Sequence, residues 1–377
     1  VTVITCAPNF PKGRVYDGYR NRIWQTEDMD GVRVVRVWSY VTANEGFTKR
    51  ILDYQSFMVS ATIAAIFVPR VEVVIGTSPQ FFTVCAAWAV SALKRIPFVF
   101  ELRDIWPESI KAVGALQDSA LLRLLEHIEL FLYRHADRIV SVTRSFRETL
   151  IRRGIDGRKI AVVTNGVDMA RFRPTPKDEV LLKELSLEGK FVCGYVGTHG
   201  LAHHLETILD TAAALAADGL GSRFHFLLLG DGARKQALRA EAQRRQITNV
   251  TFIDTVPKAD VTRYWSLLDV SIIHLRKTEL FTTVIPSKLF ECMGMGLPVL
   301  HGVAGESAEI VRSESVGVVF ESENSEQLVA EIRSLADDPA RYAGYRSNCL
   351  AAARKYDRTA LAASMLRVLH EADAPPQ

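Results

Sequence analysis

Short apolar runs rich in β-branched residues alternate along the whole chain with helix-length stretches whose apolar positions recur every three or four residues. Strands that read as continuous apolar runs are buried on both faces, and strands separated by helices run parallel. The pattern predicts an α/β fold with parallel sheets and helical crossovers. In the first half, strands are read at 1–5, 32–38, 71–75, 97–101, 138–142 and 160–163. The second half repeats the grammar with strands at 191–196, 224–229, 250–253, 270–273, 299–300 and 317–320. Helices are predicted between them at 205–217, 234–245, 259–268, 286–295 and 325–336.

Two prolines and a charge cluster at 171–176 follow the Asn165-Gly166 turn and read as a linker. The predicted division is a first domain at 1–170, joined by a closing helix within 357–377, and a second domain at 171–356. A length of 377 residues suits two cores better than one. The opening is unusual, because Val1 starts directly on an edge-like strand, whereas the first strand of a doubly wound domain is central. The expectation is that a native N-terminal segment precedes it.

Composition places the chain among globular proteins, with 48% hydrophobic and 24% charged residues. Five widely spaced cysteines without a C-x-x-C pair argue for a reducing compartment, hence the cytoplasm, and against a disulfide framework or zinc site. Residues 1–170 hold 22 basic against 17 acidic side chains, while the remainder is slightly acidic. A basic first half suits an acidic partner, either a phosphorylated acceptor or an anionic membrane surface, although ordinary surface variation gives the same count. No basic run interleaved with aromatics points to nucleic acid. The segment 44–70 has Lys49 and Arg50 at one end, Arg70 at the other and an apolar middle. It reads either as a core helix or as one lying peripherally on the inner face of the cell membrane.

The densest chemistry lies at 282–299. Pro286 suits the first turn of a helix, and the free N–H groups after it, with the helix dipole and Lys288, would form a phosphate-binding end. Glu291 stands one turn beyond Ser287 on the same face, where a carboxylate would accept hydrogen bonds from a ribose diol. A plain amphipathic helix with a solvated Glu-Lys pair is the alternative. Two glycine turns follow strands of the same domain, Gly197-Thr198-His199-Gly200 and Gly230-Asp231-Gly232, and glycine there lets a ligand's phosphates approach the backbone. His199 and His203 are four apart, but no third metal ligand is apparent, so an imidazole near a diphosphate is the better use. In the first half, Glu101, Arg103, Asp104 and Glu108 crowd the end of a strand, a location that favours substrate contact over a local ion pair.

These residues carry a resemblance. The chain resembles the retaining glycosyltransferases of the GT-B fold, and within them the N-acetyl-L-fucosamine and colanic-acid-type transferases of bacterial polysaccharide assembly. The matching residues are Pro8-Asn9-Phe10-Pro11 with Tyr16-Asp17-Gly18-Tyr19, Arg103 to Ser109, Asn165-Gly166-Val167-Asp168, Gly194 to Gly197, and Pro286 to Glu291. The resemblance implies two Rossmann-like domains facing across a cleft, transfer with retention, and no obligatory metal or other cofactor. It implies a nucleotide-diphosphate sugar donor, with UDP as the nucleotide, and an oligosaccharide or polyprenyl-diphosphate-linked acceptor. Glu291 matches the second glutamate of the family's E-x(7)-E motif, and the first falls on Thr283. Thr282, Thr283, Val284 and Ile285 would then cradle the diphosphate and sugar, beside Pro286, Ser287, Gly197, Thr198, His199, Gly230 and Gly232. Thr198 replaces the family's arginine and His203-His204 its lysine, which leaves Lys288 for the diphosphate. Asp104 or Arg103 falls near the family's sugar-contacting histidine, so catalysis is assigned to Asp104, Arg103 and Lys288. The family's acceptor-side Gly-Gly loop has no counterpart in this sequence. UDP-sugar 2-epimerases of the same fold, and a catalytically inactive sugar-binding scaffold, are the alternatives.

Overall fold

The computed structural model describes residues 1–9, 13–42, 47–105 and 120–373, and the side chains of 47, 48, 120 and 121 are left aside. The chain forms two compact units, Val1–Val163 with Ser364–Gln377, and Thr164–Ala363. Residues 171–176, read above as a linker, lie inside the second unit.

The first unit runs β1 (Thr2–Cys6), β2 (Trp24–Met29), β3 (Val32–Val37), α1 (Phe47–Ile66), β4 (Val74–Thr77), α2 (Phe81–Lys94) and β5 (Phe98–Leu102). After the undescribed stretch come α3 (Ala120–His135), β6 (Arg138–Ser141), α4 (Arg144–Arg152) and β7 (Ile160–Val162). Its strands form two sheets, β1-β3-β2 and β4-β5-β6-β7. Strand β2 was not expected. It pairs antiparallel with β3, with Met29 opposite Val32. The two-residue loop Asp30-Gly31 has φ of 54° and 82°, the pair of positive angles that matches a hairpin's twist.

Val35 and Val37 of β3 are buried against Ala61 and Ala64 of α1, where small side chains let the helix sit close on the sheet. Residues 1–7 and 73–75, at the edges of the two sheets, line a cavity of about 1250 Å³ together with Phe57, Ala87 and Val90.

The second unit contains α5 (Glu179–Glu184), β8 (Phe191–Val196), α6 (Glu206–Ala217), β9 (Phe224–Leu229), α7 (Lys235–Arg244), β10 (Val250–Ile253), α8 (Val261–Ser266) and β11 (Val270–His274). There follow α9 (Lys288–Met295), β12 (Val299–Gly302), α10 (Glu306–Ser313), β13 (Gly317–Val319), α11 (Ser325–Asp337), α12 (Pro339–Ala353) and α13 (Arg358–Asp373), whose residues from Ser364 onward belong to the first unit. There Val368 and Ala372 pack on Val99 and Val140.

The six strands are ordered β10-β9-β8-β11-β12-β13 and all pair in parallel. Apolar side chains cover both faces. Leu289, Phe290 and Met293 of α9 belong to one core, and Ile208, Leu209 and Ala212 of α6 to the other. The chain reverses its direction of winding between β8 and β11, and an open parallel sheet has its ligand crevice at the carboxyl ends of the strands flanking that reversal.

Pro286 precedes the helix it was expected to open, since α9 begins at Lys288. Its neighbour Ser287 already has helical angles of −57° and −28°. Farther along α9, a Cβ on Gly294 would lie 2.7 Å from the Phe172 carbonyl oxygen and 2.8 Å from Val167 Cγ2, so glycine lets α9 rest on the 167–172 segment. Gly294→Val should overpack this contact and cost about 1–3 kcal/mol. Differential scanning calorimetry should show the corresponding transition lowered by several degrees, and an unchanged transition would refute the packing argument.

Candidate active site

The carboxyl ends of β8 and β9 meet through their glycine turns. Gly230 has φ of 144°, and a Cβ there would collide with the Gly197 carbonyl. Gly232 has φ of 156°, and its Cβ would lie 2.6 Å from the His199 carbonyl oxygen. The turns are stitched together by backbone hydrogen bonds, from Gly197 N–H to Leu229 at 2.9 Å and from His199 N–H to Asp231 at 2.9 Å. The backbone that Gly230 and Gly232 admit on their Cβ side is that of the neighbouring turn. Lys235, only 2% exposed, secures the assembly from α7. Its ammonium donates to the Gly230 carbonyl at 2.5 Å, the Ile253 carbonyl at 3.0 Å and Asp254 Oδ1 at 2.6 Å.

Gly197 faces a different neighbour. A Cβ on it would lie 2.8 Å from Lys288 Nζ, so the first residue of α9 reaches the turn after β8. Lys288 Nζ stands 3.8 Å from the centroid of the Tyr195 ring, a cation–π contact. Tyr195 in turn donates its hydroxyl to the Thr198 carbonyl at 2.9 Å, so one side chain holds both the turn and the lysine. Lys288 Nζ is buried and has no hydrogen-bond partner among the described residues. Burial pushes its pKa down to about 8, because a desolvated ammonium is disfavoured, while Cys292 and Glu291 pull the other way.

The imidazoles of His199 and His203 each lie 5.9 Å from the Tyr195 ring. Both nitrogens of His199 and Nδ1 of His203 are buried without partners among the described residues. His274, at the end of β11, fixes the backbone beneath them. Its Nε2 accepts from the Glu323 N–H at 2.9 Å, so Nδ1 is the protonated nitrogen and donates to the His203 carbonyl at 2.8 Å.

Glu291 lies one turn along α9. No hydrogen bond or ion pair engages its carboxylate among the described residues, and burial raises its pKa against the opposing pull of Lys288, Arg358 and Arg171. The rest of the expected cradle is occupied within the loop. Thr282 and Thr283 donate their hydroxyls to the Glu279 and Leu280 carbonyls at 2.6 and 2.8 Å. Leu289 and Phe290 N–H groups return to Pro286 and Ser287 at 3.0 and 3.1 Å, so two first-turn amides that were expected to be free are used. Ser287 makes no capping bond, Val284 is extended at the end of the short 280–283 helix, and Ile285 is buried.

Arg103 and Asp104 belong to the first unit, just past β5. Their N–H groups both donate to Ser78 Oγ, at 2.9 and 3.3 Å. Arg103 pairs with Glu101 at 3.5 Å, and Thr77 holds the other Glu101 oxygen at 2.7 Å. Glu108 and the remainder of that motif lie outside the described residues. Sequence reasoning missed Tyr195 as part of the site, because it read as a strand residue; His199 and His203 were read together as imidazoles near a diphosphate.

The sequence matches the Glycosyl transferase 4-like domain over residues 1–166 and Glycosyl transferases group 1 over residues 190–338. It is 25% identical over 347 residues to WcaI of Escherichia coli (strain K12), named as a colanic acid biosynthesis glycosyl transferase, covering 88% of this chain and 83% of that protein. Its fold is similar to Anabaena Alr3699/HepE crystallised with UDP, with a TM-score of 0.70 and 17% identity over 90% of this chain and 86% of that one. It is also similar to WaaG, a glycosyltransferase of lipopolysaccharide biosynthesis, with a TM-score of 0.67 and 15% identity over 98% and 99% of the two chains. With both units matched in chain order, and the second built on the reversed parallel sheet just described, the chain belongs to the group 1 glycosyltransferases of the GT-B fold.

Proposed function

We propose that the chain is a retaining transferase that takes a sugar, of hexosyl or N-acetylhexosaminyl type, from a UDP-sugar. The acceptor in this reading is a polyprenyl-diphosphate-linked or oligosaccharide chain in capsule, exopolysaccharide or O-antigen synthesis. The observation that carries the donor half is the buried ammonium of Lys288, which has no anionic partner among the described residues and stands where α9 meets the turn after β8. A buried cation without a partner is costly, and a diphosphate would supply the missing charge. The naming of WcaI for colanic acid synthesis and the UDP bound to HepE support the polysaccharide role and the choice of nucleotide.

In this mechanism Glu291 holds the ribose hydroxyls, while Lys288 and the α9 terminus, with His199, stabilise the diphosphate as it leaves. The sugar carbon gains oxocarbenium character, and the departing phosphate accepts the acceptor's proton on the same face. The C–O bond to the diphosphate breaks and one to the acceptor oxygen forms, so configuration is retained and neither a metal nor a dedicated protein base is needed. The same reading assigns Arg103 and Asp104 to catalysis.

Membrane attachment is part of the same reading. Leu52, Val59, Ile63 and Ile66 share one face of α1 and are each 50–53% exposed, with Phe67 at 69% beyond them. Lys49 and Arg50 are exposed at one end of the helix and Arg70 after the other. An exposed apolar stripe edged by basic residues suits the interface of an anionic leaflet. No described helix is long and apolar enough to cross a membrane.

Three outcomes check the proposal. Glu291→Ala should lower UDP affinity by about 1.5–3 kcal/mol in calorimetry while the melting temperature stays put, and unchanged affinity would remove Glu291 from the ribose. Lys288→Ala should weaken UDP far more than uridine; equal losses would place the lysine away from the diphosphate. In liposome sedimentation, the chain should bind vesicles containing anionic lipid, and both the Lys49→Glu/Arg50→Glu pair and Ile63→Ser should reduce binding. Binding indifferent to lipid charge and to these changes would rule out the membrane mechanism.

A further inference from the structure

The turn after β8 carries more basic chemistry than a single lysine explains. We propose that the imidazoles of His199 and His203, both already read as lying near the diphosphate, take up a proton as the donor's diphosphate enters. This inference rests on the donor site proposed above and adds to it a proton linkage.

The geometry comes first. Lys288 Nζ, His199 and His203 surround one aromatic ring, at 3.8, 5.9 and 5.9 Å from the Tyr195 centroid. Four of their nitrogens are buried without a partner among the described residues. A buried polar atom left unsatisfied is costly, and a cluster of them beside the turn after β8 marks groups whose partner arrives with the ligand. The other histidines nearby are tied down: His274 is bonded at both nitrogens, and His204 contacts the Thr207 hydroxyl at 3.0 Å.

The surrounding charges explain why the imidazoles wait in the neutral form. Around His199 stand Lys235 and Arg239 of α7, Lys288 of α9 and Asp231 of the adjoining turn. Around His203 stand Lys288, His199 and His274. Glu291 and Cys292 face Lys288 from its own helix. Asp231 is the nearby anion of His199, and its carboxylate already accepts the Gly232 N–H at 2.8 Å. Burial first, then these cations, hold His199 and His203 at about 4. A neutral imidazole donates through one nitrogen only, whereas the protonated ring donates through both. Phosphate oxygens are acceptors carrying negative charge, so their arrival reverses the local field and favours the doubly protonated ring.

The sign of the linkage follows. Each histidine is unprotonated in the free protein at neutral pH and protonated in the complex, so binding takes up protons. That contribution to affinity strengthens as pH falls from the midpoint in the complex towards about 4, by up to about tenfold per pH unit for each proton gained.

Nuclear magnetic resonance of the chain labelled in histidine rings tests this directly, in the free state, with saturating UDP, and with saturating uridine. Of the nine histidines, two should titrate only when UDP is present, with midpoints at or above the ordinary value of about 6.5. Uridine should leave them silent, because it brings no phosphate. His199→Gln and His203→Gln should each remove one of the two midpoints; if either fails to fold, the count of UDP-dependent rings in the unmodified chain still decides. Rings that stay neutral at pH 6.5 with UDP bound would overturn the proton uptake while leaving the donor site standing. Failure of UDP to bind at all would overturn the donor site itself, and this inference with it.

Discussion

Two turns touching backbone to backbone govern the geometry of the second unit's site. Because no Cβ fits between Gly230 and the Gly197 carbonyl, or comfortably between Gly232 and the His199 carbonyl, the ends of β8 and β9 are locked in one relation. Lys235 fastens that relation from beneath by tying β9 and β10 to α7. Everything that follows β8 inherits this placement: Thr198 offers its carbonyl to Tyr195, Tyr195 offers its ring face to Lys288, and Lys288 opens α9. A change in the glycines would therefore act on the lysine without touching it.

The site is also a place where the protein leaves its own electrostatics unfinished. Elsewhere in the second unit basic groups meet acidic ones, as Lys177 meets Asp269 at 2.7 Å and Arg234 meets Glu206 at 2.6 Å. Lys288 has an aromatic face instead of a carboxylate, and three ring nitrogens of the two imidazoles beside it have no partner among the described residues. Such arrangements are expensive in the folded state and are kept where a ligand's charge completes them. Glu291, a turn away, is the converse case, a half-buried acceptor without a donor.

Much of this was readable before any coordinates. Apolar runs such as 224–229 are buried at every residue, and that continuous burial on both faces is why strands of the second unit could be placed by composition alone. The segment from Pro286 to Glu291 announced itself because a proline, a lysine and a glutamate at those spacings suit a helix terminus. Strand β2 was hidden because its residues alternate in exposure at the sheet edge and contain four polar side chains, although Asp30-Gly31 is a hairpin signal in its own right. Gly230 and Gly232 are only partly legible, for a different reason. A glycine reports that something comes close, and only the fold says whether that something is a ligand or another turn. Tyr195 was invisible for the same reason, since nothing in a buried strand residue reveals that a lysine 93 positions later will lie on its ring.

The first unit is assembled from both ends of the chain, with Val99 and Val140 covered by Val368 and Ala372. Translation proceeds from one end, so the ribosome makes the whole second unit before it supplies the side chains that seal the first. During that interval the nascent first unit presents an apolar surface that only residues made after the second unit can cover, a window in which chaperones and proteases compete for it. The second unit carries its partners within one continuous stretch and is free of that delay.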